Sequence, residues 1–161
     1  MTTRVLFICM GNICRSPTAE IVFREIARRE FPQLQLEVDS AGTHSYHVGE
    51  PPDPRSIDAA KRRGYDLTPL RARQVTPADF DRFDFLFAMD ADNHSRLLAM
   101  APAASAARAV RFLEFASYPY ERDVPDPYYG DRAAFERVLD LLEQASRAAL
   151  MQLSGKVQPR V

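Results

Sequence analysis

Val5-Leu6-Phe7-Ile8 is an unbroken apolar run that gives way at once to a Met10-Gly11-Asn12 turn and then to a Ser16-Pro17 helix start. A continuous run, as opposed to an alternating one, suits a strand covered on both faces, the condition of strands in a parallel sheet. Ser at an N-cap and Pro at the first helical position open a helix. That helix continues through Ala19, Val22, Phe23, Ile26 and Ala27 at helical spacing and is over by Phe31-Pro32. A buried strand, a tight turn and a helix in direct succession restrict the chain to α/β architectures, where ligands bind at the carboxyl ends of the strands.

The alternation continues. Leu34, Leu36 and Val38 predict a second strand ending near Ser40-Ala41-Gly42, and the polar loop from Thr43 to Pro52 carries His44, Tyr46 and His47. Asp53-Pro54 repeats the cap signature, with Ile57, Ala60 and Lys61 in its helix and Gly64 as the stop. After a short helical turn at Thr76-Pro77, Phe85 to Met89 reads as a third buried strand and Asp90 as the start of a helix through Leu97-Leu98. Val110 to Phe115 reads as a fourth strand and Pro119 to Gly130 as a loop rich in proline and tyrosine. Asp131 to about Leu153 reads as a long helix whose apolar stripe is Phe135, Val138, Leu139, Leu142 and Leu150. The predicted fold is one α/β domain over residues 1–161, ending in a frayed tail at 154–161. It has a four-stranded parallel β-sheet, helices on both faces and right-handed crossovers.

With 21 Lys+Arg against 22 Asp+Glu the net charge is −1, without the basic excess of a nucleic-acid binder. The 2 cysteines are too few for a disulfide-stapled secreted scaffold or for a four-ligand zinc site. His44, His47 and His94 are scattered and read as surface residues, with His44 or His47 at the rim of a ligand pocket as the alternative, so no metal and no cofactor is expected. The opening apolar run is far short of the roughly 20 residues of a membrane span. Only Arg4 precedes it as a charge, so neither a span nor an export signal is expected, and a reducing cytoplasm is the expected compartment.

The loop Cys9-Met10-Gly11-Asn12-Ile13-Cys14-Arg15-Ser16 sets a cysteine, five residues, an arginine and a serine between strand and helix. Unpaired backbone N–H groups at that helix terminus, with the positive end of the helix dipole, suit a phosphate dianion. Arg15 adds a planar fork of donors matched to two phosphate oxygens. The same positive field lowers a thiol pKa from about 8.5 to roughly 3.5–7.5, which predicts Cys9 as a thiolate able to attack phosphorus. Ser16 is placed to hydrogen-bond that sulfur, and Asn12 tolerates the left-handed conformation a curled loop requires. The alternative makes Cys9 and Cys14 two small core residues beneath a glycine turn.

Such a nucleophile needs a proton donor for the leaving group. In Asp126-Pro127-Tyr128-Tyr129 the proline keeps Asp126 out of helical geometry, on a loop from which an acid can lean over a phosphate. The alternative is an ordinary turn aspartate, with Asp123 and Asp131 close by and Asp131 reading as a helix N-cap.

Taken in order, Cys9 to Ser16, Asp39-Ser40-Ala41-Gly42-Thr43, Ala72-Arg73-Gln74, Met89-Asp90 and Asp126-Pro127-Tyr128-Tyr129 resemble the low-molecular-weight protein tyrosine phosphatase family over nearly the whole chain. The resemblance implies a phosphate-binding loop between the first strand and first helix. It implies Cys9 as a nucleophile forming a cysteinyl-phosphate, Arg15 as phosphate binder and transition-state stabiliser, and Asp126 as general acid and then base. Ser16, Asn12 and Ser40 would be the supports that shape the loop. Leu70 departs from the pattern: many members carry His there, so a hydrogen bond from that His to the loop Asn is absent or replaced.

Phosphoryl transfer asks mainly for positioning and charge stabilisation, so this set suffices without metal. Met10, Gly11, Asn12, Ile13, Cys14 and Ser16 are expected around the substrate, with Met10 and Ile13 as apolar packing at the pocket floor. Tyr46, Tyr128 and Tyr129 lie on loops that ring the site, either as flat walls for an aryl phosphate or as ordinary surface tyrosines. A deep cleft favours phosphotyrosine, whose phenol, with a pKa near 10, is also the easier leaving group. The expected activity is metal-independent hydrolysis of phosphotyrosine in proteins, a tyrosine kinase among the candidate partners, with release of inorganic phosphate.

Three other readings compete. An arsenate reductase of this fold needs a further cysteine pair, and none exists beyond Cys14. A protein-arginine phosphatase, which resembles this family, tends to carry Thr where this chain has Ile13. A phosphotyrosine-binding module needs neither Cys9 nor Asp126. Cys14 itself is either a packed small residue or the thiol that traps an oxidised Cys9 as a disulfide.

Overall fold

Strand β1 (Thr3–Cys9) is the spine of the sheet, with Val5 to Ile8 wholly out of solvent. It pairs in parallel with β2 (Leu36–Gly42) on one side and β3 (Phe85–Ala88) on the other; β4 (Ala109–Arg111) pairs in parallel with β3. The spatial order is β2-β1-β3-β4. The structure, a computed structural model, describes residues 1–155.

The helices are α1 (Arg15–Glu30), α2 (Pro54–Lys61), the one-turn α3 (Asp79–Arg82), α4 (Ala91–Met100), the one-turn α5 (Phe112–Phe115) and α6 (Arg132–Leu153). The pleat of β1 sends Val5 and Phe7 to one face and Leu6 and Ile8 to the other. Val5 and Phe7 meet α1, α5 and α6, and the Phe7 ring centre lies 5.3 Å from Phe23 and 5.0 Å from Phe112. Aromatic pairs at such distances add about 0.5–1.5 kcal/mol each beyond their burial. Leu6 and Ile8 meet Phe80 of α3, Phe83 and Leu97 of α4. Both faces of β1 are therefore dry, which is why its sequence shows no polar alternation. The expected parallel sheet with helices on both faces is borne out.

Three cap signatures hold: the side chains of Asp53, Asp90 and Asp131 accept the backbone N–H of Arg55, Asn93 and Ala134. Two boundaries differ from expectation. Helix α1 begins at Arg15 with Cys14 as its N-cap, so Ser16 and Pro17 lie inside the first turn. Pro is tolerated there because the first N–H groups of a helix have no intrahelical partner, and the hydroxyl of Ser16 is thereby free for the loop. The fourth strand is only Ala109–Arg111; Phe112 to Phe115 coil instead into α5, which buries Phe112 and Leu113 side by side in the core. A short apolar run fits either element, and here an Arg111–Glu114 ion pair spans the turn. Ser154 closes α6 with its N–H on the Leu150 carbonyl at 2.9 Å, and the rest of the expected tail, 156–161, lies outside the described residues.

From β1 the chain moves outward to β2 and then back past β1 to β3. The carboxyl ends of β1 and β3 thus flank a point where the strand order reverses, the place where open α/β sheets hold ligands. Cys9 ends β1 there, and Met89-Asp90 follow β3.

Candidate active site

The loop after β1 is held open by its own carbonyls. Those of Cys9, Met10 and Ile13 accept the N–H groups of Thr43, His44 and Asp53 at 2.9, 3.0 and 2.8 Å. The Cys14 carbonyl accepts the Thr18 hydroxyl at 2.6 Å. Among the described residues, the N–H groups of Gly11, Ile13, Cys14 and Arg15 donate to no protein group. Unspent donors in series at a helix N-terminus are what an oxyanion accepts from. Asn12 makes the bend with φ of 57°, the left-handed conformation expected of it. Gly42 lets β2 approach: a Cβ there would sit 2.8 Å from the Met10 carbonyl oxygen.

Cys9 Sγ lies 3.0 Å from Ser16 Oγ and accepts the Asn12 N–H at 3.3 Å. Behind it runs an ordered chain of side chains. Buried Glu20 accepts the Ser40 hydroxyl at 2.7 Å, and the Asn12 amide nitrogen donates to Ser40 Oγ at 3.1 Å and Ser16 Oγ at 2.8 Å. The Ser16 hydroxyl also lies 3.5 Å from the Ala41 carbonyl oxygen, and in its pair with the sulfur either atom can be the donor. Burial pushes the Glu20 carboxyl above the usual range, against the pull of Ser40 and Arg24.

Arg15 is buried, and its Nη1 donates to Asp90 Oδ2 at 2.6 Å and to the Val124 carbonyl at 3.0 Å. Its Nη2 lies 3.8 Å from Asp126 Oδ2. Burial alone would lower its pKa; the Cys9 sulfur, Asp90 and Asp126 outweigh that and hold it above the ordinary value. Asp126 is partly exposed, and its Oδ1 accepts the Tyr128 N–H at 3.1 Å, which fixes the carboxyl on the turn that Pro127 begins.

Cys9, Arg15 and Asp126 share a pocket of about 280 Å³ with Met10, Gly11, Ile13, Cys14, Tyr46, Tyr128 and Tyr129. Tyr46 stacks on His44 with ring centres 5.2 Å apart, and Tyr128 meets Tyr129 edge-on at 4.9 Å. Arg55, clamped by Asp53, lies over the ring of Tyr128 at 5.3 Å and that of Phe135 at 4.7 Å, bracing the wall from behind.

Four expectations need correction. Asn12 and Ser16 do not line the pocket; at 3% and 0% exposure they stand behind the loop, because their polar atoms are spent on each other, on Ser40 and on Cys9. Met10 is 41% exposed and belongs to the mouth, whereas Ile13 is buried. His47 is a wall residue, its Nδ1 2.6 Å from Glu50 Oε2. His94 is tied to the Ala109 carbonyl at 3.0 Å and is not a free surface histidine. Sequence reasoning also missed Asp90 as the partner of Arg15, and Glu20. The available signal was a carboxylate four residues from Ser16 on the apolar face of α1.

Cys14 is buried, and its thiol is pushed from the ordinary 9.0 up to about 12, first by burial and then by the Asp53 carboxylate, against a hydrogen bond to Ser56. The folded chain therefore keeps a proton that the unfolded chain releases above pH 9.0. This contribution to stability is whole below pH 9.0 and is lost as pH rises towards about 12. Cys14→Ala is expected to flatten the alkaline limb of a denaturation midpoint-versus-pH curve, and an unchanged limb counts against the burial argument.

Residues 4–159 match the profile of the family described as low molecular weight phosphotyrosine protein phosphatase. A low molecular weight protein-tyrosine-phosphatase of Streptomyces coelicolor is 44% identical over 167 aligned residues, covering 99% of each chain. The human low molecular weight phosphotyrosine protein phosphatase is 38% identical, over 92% of this chain and 94% of its own. Among solved structures, a protein tyrosine phosphatase from Entamoeba histolytica superposes with a TM-score of 0.90 at 39% identity, over 96% of this chain and 99% of its own. YfkJ from Bacillus subtilis gives 0.89 at 36%, over 98% of this chain and 98% of its own. Fold, loop and pocket together with end-to-end identity of this order leave one assignment: the chain belongs to the low molecular weight protein-tyrosine-phosphatase family.

Proposed function

We propose that Cys9, Arg15 and Asp126 carry the hydrolysis of phosphotyrosine in proteins. Cys9 Sγ, as thiolate, attacks phosphorus; the bond from phosphorus to the aryl oxygen breaks, and that oxygen takes the proton of the Asp126 carboxyl. Water then attacks the cysteinyl-phosphate and gives a proton to Asp126, and the sulfur leaves with its electron pair, releasing inorganic phosphate. Arg15 and the loop N–H groups stabilise the equatorial oxygens through both steps. Ser16 donates to the departing sulfur. The observation that carries this reading is the convergence of three groups on one pocket: a hydrogen-bonded sulfur, a buried guanidinium and a carboxyl 3.8 Å from it.

The walls support an aromatic substrate. Tyr46 and Tyr129 are exposed at the mouth, and the buried Ile13 offers a guanidinium no polar partner. With matched peptides, phosphotyrosine is expected to exceed phosphoserine and phosphoarginine in kcat/KM by roughly 100-fold or more. Equal or faster turnover of phosphoarginine overturns the aryl reading. Among the described residues no helix is long and apolar enough to cross a membrane. The cytoplasm as compartment and a tyrosine kinase as partner belong to the same proposal.

Cys14, beside Cys9 in the pocket, is proposed as its protector: peroxide oxidises Cys9 to the sulfenic acid, and the Cys14 thiolate attacks that sulfur, expelling hydroxide to form a disulfide. With a thiol at about 12, the attacking form is scarce at neutral pH, and disulfide formation is expected to quicken about tenfold per pH unit between 7 and 9. Quenched-flow thiol counting after a peroxide pulse measures this. If Cys14→Ser recovers under added thiol as fully as the parent, the protective role is lost.

A further inference from the structure

The Ala72-Arg73-Gln74 stretch lines no part of the pocket, yet it is tied to the bend of the phosphate loop. The side chain of Asn12, whose φ is 57°, holds that bend through three contacts. Two are donations to Ser16 and Ser40; the third is an acceptance, the backbone N–H of Arg73 on Oδ1 at 3.0 Å. Position 70, where the resemblance expects His, holds Leu70 packed against the core. Among the described residues, Arg73 supplies the sole donor to that oxygen.

Arg73 lies in a segment without regular secondary structure, so its amide goes where its side chain and neighbours hold it. The guanidinium is half-buried between two carboxylates. It meets Asp79, the first residue of α3, at 3.1 Å through both Nη1 and Nη2. It meets Oδ2 of Asp39, on β2, at 3.3 and 3.1 Å through Nε and Nη2. The Arg73 carbonyl accepts the Gly42 N–H at 2.8 Å, closing the segment onto the end of β2. Fork-shaped, charge-assisted contacts on two elements fix direction as well as distance.

We propose that Arg73 is a positioning residue for the phosphate loop: its clamp between Asp39 and Asp79 aims the amide that keeps Asn12 left-handed, and thereby the loop donors that receive phosphate. The proposal rests on the function argued above only in taking that loop as the phosphate site. Removing the clamp loosens the bend, and the cost falls on phosphate affinity although the guanidinium never touches the ligand.

The test is a double-mutant cycle read by inorganic phosphate binding, through calorimetry and competitive inhibition, with thermal midpoints in parallel. Arg73→Met keeps the stem and removes the charge, and is expected to weaken phosphate about tenfold, with Arg73→Lys recovering part. On an Asn12→Ala background the same Arg73→Met change is expected to alter phosphate affinity less than twofold, because its influence passes through Asn12. A purely structural role predicts a lower midpoint with unchanged phosphate affinity in Arg73→Met, and that result overturns the proposal. So does an equal loss on both backgrounds. Should Arg73→Met fail to fold, Asp39→Asn takes its place in the cycle, with about threefold weaker phosphate expected and parental affinity overturning the idea. A parent protein that binds phosphate but turns over no aryl phosphate defeats the catalytic reading and leaves this one to stand on the binding data alone.

Discussion

Cys9→Ser is expected to lower aryl-phosphate turnover by a factor on the order of 10⁵ or more while phosphate binding stays within a few-fold of the parent. The hydroxyl is not ionised near neutral pH, so the attacking electron pair is gone. The other parts remain, because the Asn12 N–H donates to an oxygen as readily as to sulfur, the Ser16 hydroxyl can pair with either, and Arg15 keeps its partners Asp90 and Val124. Such a variant should hold a phosphotyrosine protein long enough to isolate it from a lysate. Phosphorus NMR of rapidly quenched parent should show a thiophosphate signal that the variant lacks. Turnover by Cys9→Ser within tenfold of the parent removes Cys9 from the mechanism.

Asp126→Ala is expected to cost about 10²–10⁴ in kcat/KM, with the size of the loss set by the leaving group. A phenol of pKa near 10, as in tyrosine, cannot depart without a proton, whereas a nitrophenol departs nearly unaided. Plotted against leaving-group pKa, the rates of the variant should fall steeply where those of the parent are nearly flat. Parallel plots for parent and variant assign the proton to another group. Asp123, which accepts the Ala91 N–H at 3.1 Å, is the neighbour to examine next.

What the sequence disclosed was local. Strand, turn and helix around Cys9 are contiguous, so periodicity and capping chemistry suffice to place sulfur, amides and guanidinium together. Pro127 marks Asp126 for the same reason. What it hid depends on contacts between residues far apart in the chain. Asn12 meets the amide of Arg73, 61 residues on, and Arg15 meets Asp90, 75 residues on. Asp90 was legible as a helix cap but not as the residue that aims the arginine, since one carboxylate does both with different oxygens. His47 reads as an ordinary loop histidine until the fold lays that loop against Gly11. Phe112 to Phe115 reads as strand from the sequence because three apolar residues around Glu114 are too few to show a period of their own.

Val124 is fastened at both ends of its peptide, its N–H on the Met89 carbonyl at 2.7 Å and its carbonyl on Arg15 Nη1 at 3.0 Å. The segment bearing Asp126 is thereby seated on the sheet before any substrate arrives. Hinged enzymes spend part of their affinity recruiting a distant acid each cycle; here that recruitment happens once, as the chain folds. Solvent viscosity and crowding should then register in the arrival of bulky phosphoproteins far more than in the handling of a small phenyl ester.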